Sequence, residues 1–279
     1  EKEFQNNVYI NQPAHRHEEP FWKNESYIDD DRFLDPKSYT AKLDKEIEII
    51  SSLKKNKSYL MDLVLDFVGN EKDFLISGDF DMNKEKWSNI NIILRKIKGR
   101  KDIRFGIGPR NRGSRISIVI KNKEGMAIGP LVPSIDNLSL GETILLNLFI
   151  NILRHSDSSS KKAEEIEGIV VIDEIDAHLH VDLQYKMLPE LIALFPKVQF
   201  ILTSHSPMFL LGMEDKFGKD DGYEIREMPS GEKISVERFS EFKQAYDVLK
   251  NTKAFEEDFK GKMNELLKES TKPIVFVEG

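Results

Sequence analysis

Two apolar runs constrain this chain more than any other feature. Gly168-Ile169-Val170-Val171-Ile172 and Val198-Gln199-Phe200-Ile201-Leu202-Thr203 are short and uncharged, and polar residues close each of them. A stretch with helical spacing, residues 181–195, lies between them. Strands alternating with helices imply a parallel sheet with helices packed on it, and strands this apolar suit burial on both faces. The expected fold class is therefore α/β. Chemistry is expected where the strands end, because ligands of open parallel sheets bind beyond their carboxyl ends.

Three polar segments occupy the places where such chemistry would sit. Asp173-Glu174 closes the first run. A carboxylate there suits Mg²⁺ held through water, and its neighbour can orient or deprotonate an attacking water. The same pair is equally a solvated acidic turn. Thr203-Ser204-His205-Ser206-Pro207 closes the second run. His205 can reach a phosphate or the attacking water, or merely cap a loop, while Ser206-Pro207 opens a helix by N-cap and N1 preference. Leu138-Ser139-Leu140-Gly141-Glu142 heads a helix reaching Arg154. Ser139 with Glu142 makes an ordinary capping box, yet a serine, a glycine and a helix N-terminus also make an anion site.

The remaining chain supplies context. Residues 8–10 read as a strand running into Asn11-Gln12-Pro13, and residues 17–36 as an irregular connection. Helical spacing is expected over 39–68, stopping at Gly69-Asn70, and again over 84–98. Residues 101–132 turn to strand chemistry, with Ile116, Ile118 and Ile120 alternating with Ser117, Val119 and Lys121 before a turn at Lys123-Glu124-Gly125. A hairpin is expected over 223–236, then a charged helix over 239–269, then the strand Ile274-Val275-Phe276-Val277 followed by Glu278-Gly279. The expected division is 1–16, a helical insertion at 17–100, a core at 101–210, a connector at 211–271 and the start of another domain at 272–279. Beginning at Glu1 and stopping after a strand, the sequence reads as an internal part of something longer.

Composition narrows the setting. The 279 residues contain no cysteine, which removes disulfides and thiolate metal sites and fits a reducing, cytoplasmic setting. The longest apolar run, residues 144–153, is broken by Asn147 and Asn151 and is too short for a membrane span. Residues 95–115 carry net +8 within a chain of −7, leaving −15 elsewhere. Such a segment either faces nucleic acid or is a solvated hairpin balanced by the acidic remainder.

Taken together, Leu138–Glu142, Asp173-Glu174 and His205 resemble, in order and spacing, the ABC-type ATPase superfamily over residues 130–210. There a Leu-Ser-x-Gly-Glu signature, a Walker B strand ending Asp-Glu and a switch histidine follow one another. Leu140-Gly141-Glu142 and His178-Leu179-His180 are more similar to the SMC, RecF and OLD (overcoming-lysogenisation-defect) branch than to transporter members. Lys272–Gly279 resembles the opening of a TOPRIM domain, in which Glu278 would serve a metal-dependent nuclease.

This resemblance implies a three-layer P-loop NTPase core with a parallel sheet, a helical insertion and a β-hairpin region. It implies ATP and Mg²⁺ as cofactors, with Asp173 on the metal, Glu174 on the attacking water and His205 on the γ-phosphate. Ser139, Gly141 and Glu142 would act on nucleotide held by the partner of a head-to-tail homodimer. Gln12 sits where a Q-loop falls. DNA processing by an ATP-dependent, OLD-like endonuclease is the implied work, and a structural ATPase of SMC or RecF type is the alternative. A transporter ATPase subunit fits the signature less well. For His178 and His180 a dimer contact is expected rather than a metal pair. No Gly-x-x-x-x-Gly-Lys-Ser/Thr loop occurs in these residues; Gly106–Gly113 is glycine-rich but lacks the Lys-Ser/Thr.

Overall fold

The computed structural model describes residues 7–14, 53–71, 80–108, 115–157, 161–219, 222–248 and 251, and the backbone of two short strands at 38–39 and 47–48. The chain divides into two compact units, residues 1–212 and 213–279.

The first unit is built on a parallel sheet of β1 (Val8–Gln12), β7 (Gly168–Ile172) and β8 (Val198–Leu202), with β7 in the middle. Ile10 pairs with Val170, and Val8, Ile10, Val170 and Ile172 are at most 4% exposed. α3 (Leu140–His155) packs against β1 and is buried almost all round, with every residue from Ile144 to Leu153 inside. That makes it a core helix rather than a surface one. Phe149 of α3 stacks on Phe195 at 6.1 Å between ring centroids.

The two-sided burial expected of these strands is corrected. Ile169 is 38% and Ile201 50% exposed, while Val170 is fully buried. Successive side chains of a strand point to opposite faces. Among the described residues, the face carrying Ile169 and Ile201 is the open one.

Two helices, α1 (Leu53–Glu71) and α2 (Phe80–Lys98), pack on each other and on α3. They are fastened by buried asparagines whose amides find partners, as buried polar groups must. Asn56 donates to the Asn147 carbonyl at 3.1 Å and accepts from Arg154 Nε at 2.7 Å. Asn91 accepts the Phe105 N–H at 2.9 Å, and Asn89 the Ala163 N–H at 3.2 Å. A helix starting at residue 39 is corrected: β2 (Ser38–Tyr39) and β3 (Ile47–Glu48) form an antiparallel ladder, and α1 starts only at Leu53. Ile47-Glu48-Ile49 alternates apolar with charged and carries two β-branched residues, so it satisfies the strand period as well as the helical one.

β4 (Ile103–Ile107), β5 (Ile116–Lys121) and β6 (Ala127–Val132) form an antiparallel sheet in that order. The alternation expected along β5 is lost at its start, because Ser117 and Val119 are buried with Ile116 and Ile118. Ser117 meets its polar requirement by donating to the Gly106 carbonyl at 3.2 Å.

The helical stretch after β7 contains a π-turn, Leu183–Met187, before α4 (Leu188–Ile192). α5 (Pro207–Phe217) follows β8. In the second unit β9 (Arg226–Glu227) pairs with β10 (Glu232–Lys233), and a short 3₁₀ turn, Val236–Phe239, leads into a helix. No helix among the described residues is long and apolar enough to cross a membrane.

Candidate functional site

The three parallel strands end level with one another, Gln12 beside Ile172 and Ile172 beside Leu202. The ladder runs on for a step. Asp173 N–H donates to the Gln12 carbonyl at 2.9 Å, and Thr203 N–H to the Ile172 carbonyl at 3.0 Å. Ile175 N–H then donates to the Thr203 carbonyl at 3.0 Å. Gln12, Asp173, Glu174 and Thr203 are thereby gathered at the carboxyl edge of one sheet, with His205 two residues further along.

Thr203 ties this edge together. Its hydroxyl donates to Asp173 Oδ1 at 2.5 Å and accepts the Glu174 N–H at 2.8 Å. One side chain thus fixes the rotamer of the first acid and the backbone of the second. Glu174 has φ of 48°, a left-handed conformation unusual outside glycine. Ile175 beyond it is fully buried.

Gln12 is 5% exposed, and its Nε2 has no hydrogen-bond partner among the described residues. A buried amide donor left unpaired costs about 1–3 kcal/mol, so it marks a place where a ligand oxygen would be welcome. Asp173 is exposed and Glu174 half-buried. His205 is exposed, and its backbone N–H donates to Asp176 Oδ1 at 3.3 Å. Ser206 caps α5 by accepting the Phe209 N–H at 3.1 Å. Among the described residues no group of three or more His, Cys, Asp or Glu side chains could hold a metal by itself. His180 is engaged locally, its Nδ1 accepting the Asp182 N–H at 3.3 Å.

At the head of α3 the capping box is realised in full. Ser139 Oγ accepts the Glu142 N–H at 3.4 Å, and the Glu142 carboxylate accepts the Ser139 N–H at 3.1 Å. Lys98 Nζ donates to the same carboxylate at 2.7 Å. Burial disfavours the charge on Glu142, but the Lys98 and Ser139 donors outweigh it and hold the carboxyl below its ordinary range. Gly141 is buried, and a Cβ there would lie 2.8 Å from Leu183 Cδ1 and 3.6 Å from Leu179 Cδ2. Its missing side chain lets the helix head settle on the segment that follows Asp173-Glu174.

The basic segment is largely spent within the fold. Lys96 pairs with Glu190, Lys98 with Glu142, and Arg100 with Asp102 at 2.6 Å. Arg95 Nε donates to the Ile103 carbonyl at 3.1 Å, and Arg104 lies 5.0 Å over the Phe67 ring. Lys101 and Arg115 are exposed, whereas Arg110, Arg112 and Glu278 lie outside the described residues. Thr203 and Gln184, which organise the edge, carry no role in the sequence reading; an uncharged hydroxyl and an amide on a patterned helix give no chemical signal of their own.

A parallel sheet with acids and a histidine at neighbouring strand ends is the frame of an AAA-type ATPase domain. The chain belongs to the family described as "AAA domain, putative AbiEii toxin, Type IV TA system", which matches residues 3–211. Similarity to individual curated proteins is local. The "Septu protein PtuA" of Bacillus mycoides (strain KBAB4) is 37% identical over 94 residues, 30% of this chain and 13% of that protein. The "Retron Vc95 probable ATPase" of Vibrio cholerae serotype O1 biovar El Tor is 44% identical over 80 residues, 28% of this chain and 16% of that protein. The matched stretch thus spans well under a fifth of either relative's length. Among solved structures, the SMC head bound to the C-winged helix domain of ScpA is similar at 20% identity and a TM-score of 0.33, covering 58% of this chain and 47% of that one. An SMC ATPase from a study of ATP-driven dimerization is similar at 18% identity and a TM-score of 0.32, covering 61% of this chain and 92% of that one.

Proposed function

We propose that the chain carries the hydrolytic half of a module that binds and hydrolyses ATP as a head-to-tail homodimer. One observation supports this most: Gln12, Asp173, Glu174 and Thr203 share one strand edge with His205 close behind, and the buried Gln12 amide there lacks a partner. The Asp173 carboxylate suits Mg²⁺, which takes one or two protein carboxylates and completes its shell with phosphate and water, and the Gln12 amide N–H suits an oxygen of that phosphate or water. The ion would neutralise phosphate charge. No Gly-x-x-x-x-Gly-Lys-Ser/Thr run is present, so these residues supply half of such a site.

Within that half, Asp173 would hold the metal, which would draw charge from the phosphate, and Glu174 accepts a proton from the attacking water. His205 orients the γ-phosphate. Ser139 offers the helix N-terminus of α3 to nucleotide on the partner, with Gly141 and Glu142 fixing that helix end against Leu183 and Lys98. One relative is named "Retron Vc95 probable ATPase", which agrees with an ATP-driven role. Coupling to an OLD-like, TOPRIM nuclease with Glu278 on its metal extends this reading. The SMC- or RecF-like alternative has no nuclease, and Mg²⁺-dependent DNA cleavage by the full-length protein separates the two.

The test is Glu174→Gln in the full-length protein. Nucleotide binding is expected to persist while turnover falls by two orders of magnitude or more, on the order of general-base loss. Turnover at the wild-type rate sinks the assignment.

A further inference from the structure

The π-turn at Leu183–Met187 interrupts the helix after β7. Such turns are rare, cluster at functional sites and re-aim side chains relative to a regular helix. The side chain in question is Gln184. Its Nε2 donates to the Leu179 carbonyl at 2.8 Å and to the Asp176 carbonyl at 3.3 Å. Its Oε1 accepts the Ser206 hydroxyl at 2.5 Å. Both donors and the acceptor of the amide are therefore engaged.

These bonds join three pieces of chain. Asp176 and Leu179 belong to the loop that starts at Glu174. Gln184 belongs to the π-turn. Ser206 adjoins His205 and caps α5 through the Phe209 N–H. The joint is reinforced from both sides. Asp176 Oδ1 accepts the His205 N–H at 3.3 Å. Gly212 of α5 meets the π-turn backbone so closely that a Cβ there would lie 2.0 Å from the Tyr185 carbonyl oxygen. Next to Gln184, Leu183 lies under Gly141 at the head of α3.

We infer that Gln184 is a positioning residue that locks the His205 loop to the loop carrying Glu174, so that the two side chains keep a fixed separation. Its functional consequence rests on the ATPase reading above. Its structural content rests on the three hydrogen bonds alone. Gln184 touches no reacting atom; it acts through backbone on either side of its neighbours.

Gln184→Met keeps side-chain length and removes all three bonds of the amide, while Ser206→Ala removes the Ser206–Gln184 bond from the other end together with the α5 cap at the Phe209 N–H. In the full-length protein each is expected to lower kcat for ATP by on the order of ten- to a hundred-fold, with KM for ATP within about two-fold of wild type. Because both changes delete the shared Ser206–Gln184 bond, the loss of kcat in the double variant is expected to be smaller than the product of the two single losses. Hydrogen exchange at the amides of residues 205–210 is expected to quicken in every variant, a readout that needs no turnover. Wild-type kcat in Gln184→Met, or single effects that multiply in the double variant, overturns the inference. Should Gln184→Met fail to fold, Gln184→Ala, which leaves the Ser206 cap of α5 in place, decides by the same criteria. Glu174→Gln is measured alongside. Wild-type turnover there removes the ATPase reading and leaves exchange to judge Gln184. Loss of turnover there with wild-type kcat in Gln184→Met removes the Gln184 inference alone.

Discussion

Thr203→Val is the sharpest single perturbation of the strand edge. Valine keeps the β-branched shape that suits the end of β8 and removes only the hydroxyl. Two bonds go with it: the donation to Asp173 Oδ1 at 2.5 Å and the acceptance of the Glu174 N–H at 2.8 Å. A bond to a charged group is worth about 1.5–3 kcal/mol net and a neutral one about 1 kcal/mol when buried. Here Thr203 and Asp173 are both exposed, so water takes over both partners and the loss of stability is expected near 1 kcal/mol. In a unit of this size that is a drop of about 2–4 °C in Tm. The catalytic cost follows a different rule. Freed from Thr203, the Asp173 carboxylate samples other rotamers and Glu174 loses an anchor of its left-handed backbone, and misplacement of about 1 Å costs on the order of a hundred-fold in turnover. Steady-state ATP hydrolysis by the full-length protein, titrated with Mg²⁺, reads both effects. Lower kcat and a higher half-saturating Mg²⁺ concentration are expected for Thr203→Val, and recovery of both for Thr203→Ser. Wild-type kcat and Mg²⁺ dependence in Thr203→Val refutes the reasoning, and so does an equal loss in Thr203→Ser.

Two further outcomes test the head of α3. Gly141→Ala places a methyl 2.8 Å from Leu183 Cδ1. The overpacking cost of about 1–3 kcal/mol is partly offset by the gain of about 1 kcal/mol in helix propensity, so thermal melting shifts little while ATP turnover drops. Glu142→Gln tests the ion pair with Lys98. A carboxyl held below its ordinary value of 4.5 stabilises the fold at pH above that value and loses this contribution as pH falls through its lowered folded value. The stability gap between wild type and Glu142→Gln in chemical denaturation is therefore expected to be widest near neutral pH and to close as pH falls below the ordinary carboxylate range. A gap constant from neutral to acid pH contradicts the Lys98 assignment.

The sheet edge was legible because its signals are local. An apolar strand followed by Asp173-Glu174, and another followed by Thr203-Ser204-His205, each announce themselves within eight residues. What connects them was not legible. The Lys98 partner lies 44 residues away and the Lys96 partner 94 residues away, so the basic segment looks unbalanced in sequence although the fold neutralises much of it. The π-turn is hidden for another reason: Leu183 and Met187 fit a regular helical stripe, and a one-residue shift in register leaves that stripe readable. Ile169 and Ile201 mislead in the opposite direction. Apolar residues at both strand positions imply two covered faces, but burial depends on which neighbours are present rather than on the strand itself.

The geometry after β7 shows how a site of this kind is held ready before any nucleotide arrives. Glu174 and His178 both adopt left-handed backbone, at φ of 48° and 63°, and such residues cost on the order of 1–3 kcal/mol each unless their surroundings over-determine them. The surroundings here do so. Ile175 and Leu179 are buried and anchor the loop from below. The Glu174 carbonyl accepts the Ala177 N–H at 2.9 Å and the Asp176 carbonyl the Leu179 N–H at 3.1 Å, closing two successive turns. Thr203 holds one end of the loop through the Glu174 amide, and Gln184 holds the other through the Leu179 carbonyl. A strained loop pinned at both ends and packed underneath has little freedom left to lose. On the reading proposed above, the entropy of placing the Glu174 carboxylate beside a phosphate would be met in folding rather than at each turnover. The loop is also vulnerable for the same reason: its conformation depends on a few polar contacts at its margins, which is why single uncharged side chains such as Thr203 and Gln184 are expected to control turnover while contributing little to stability.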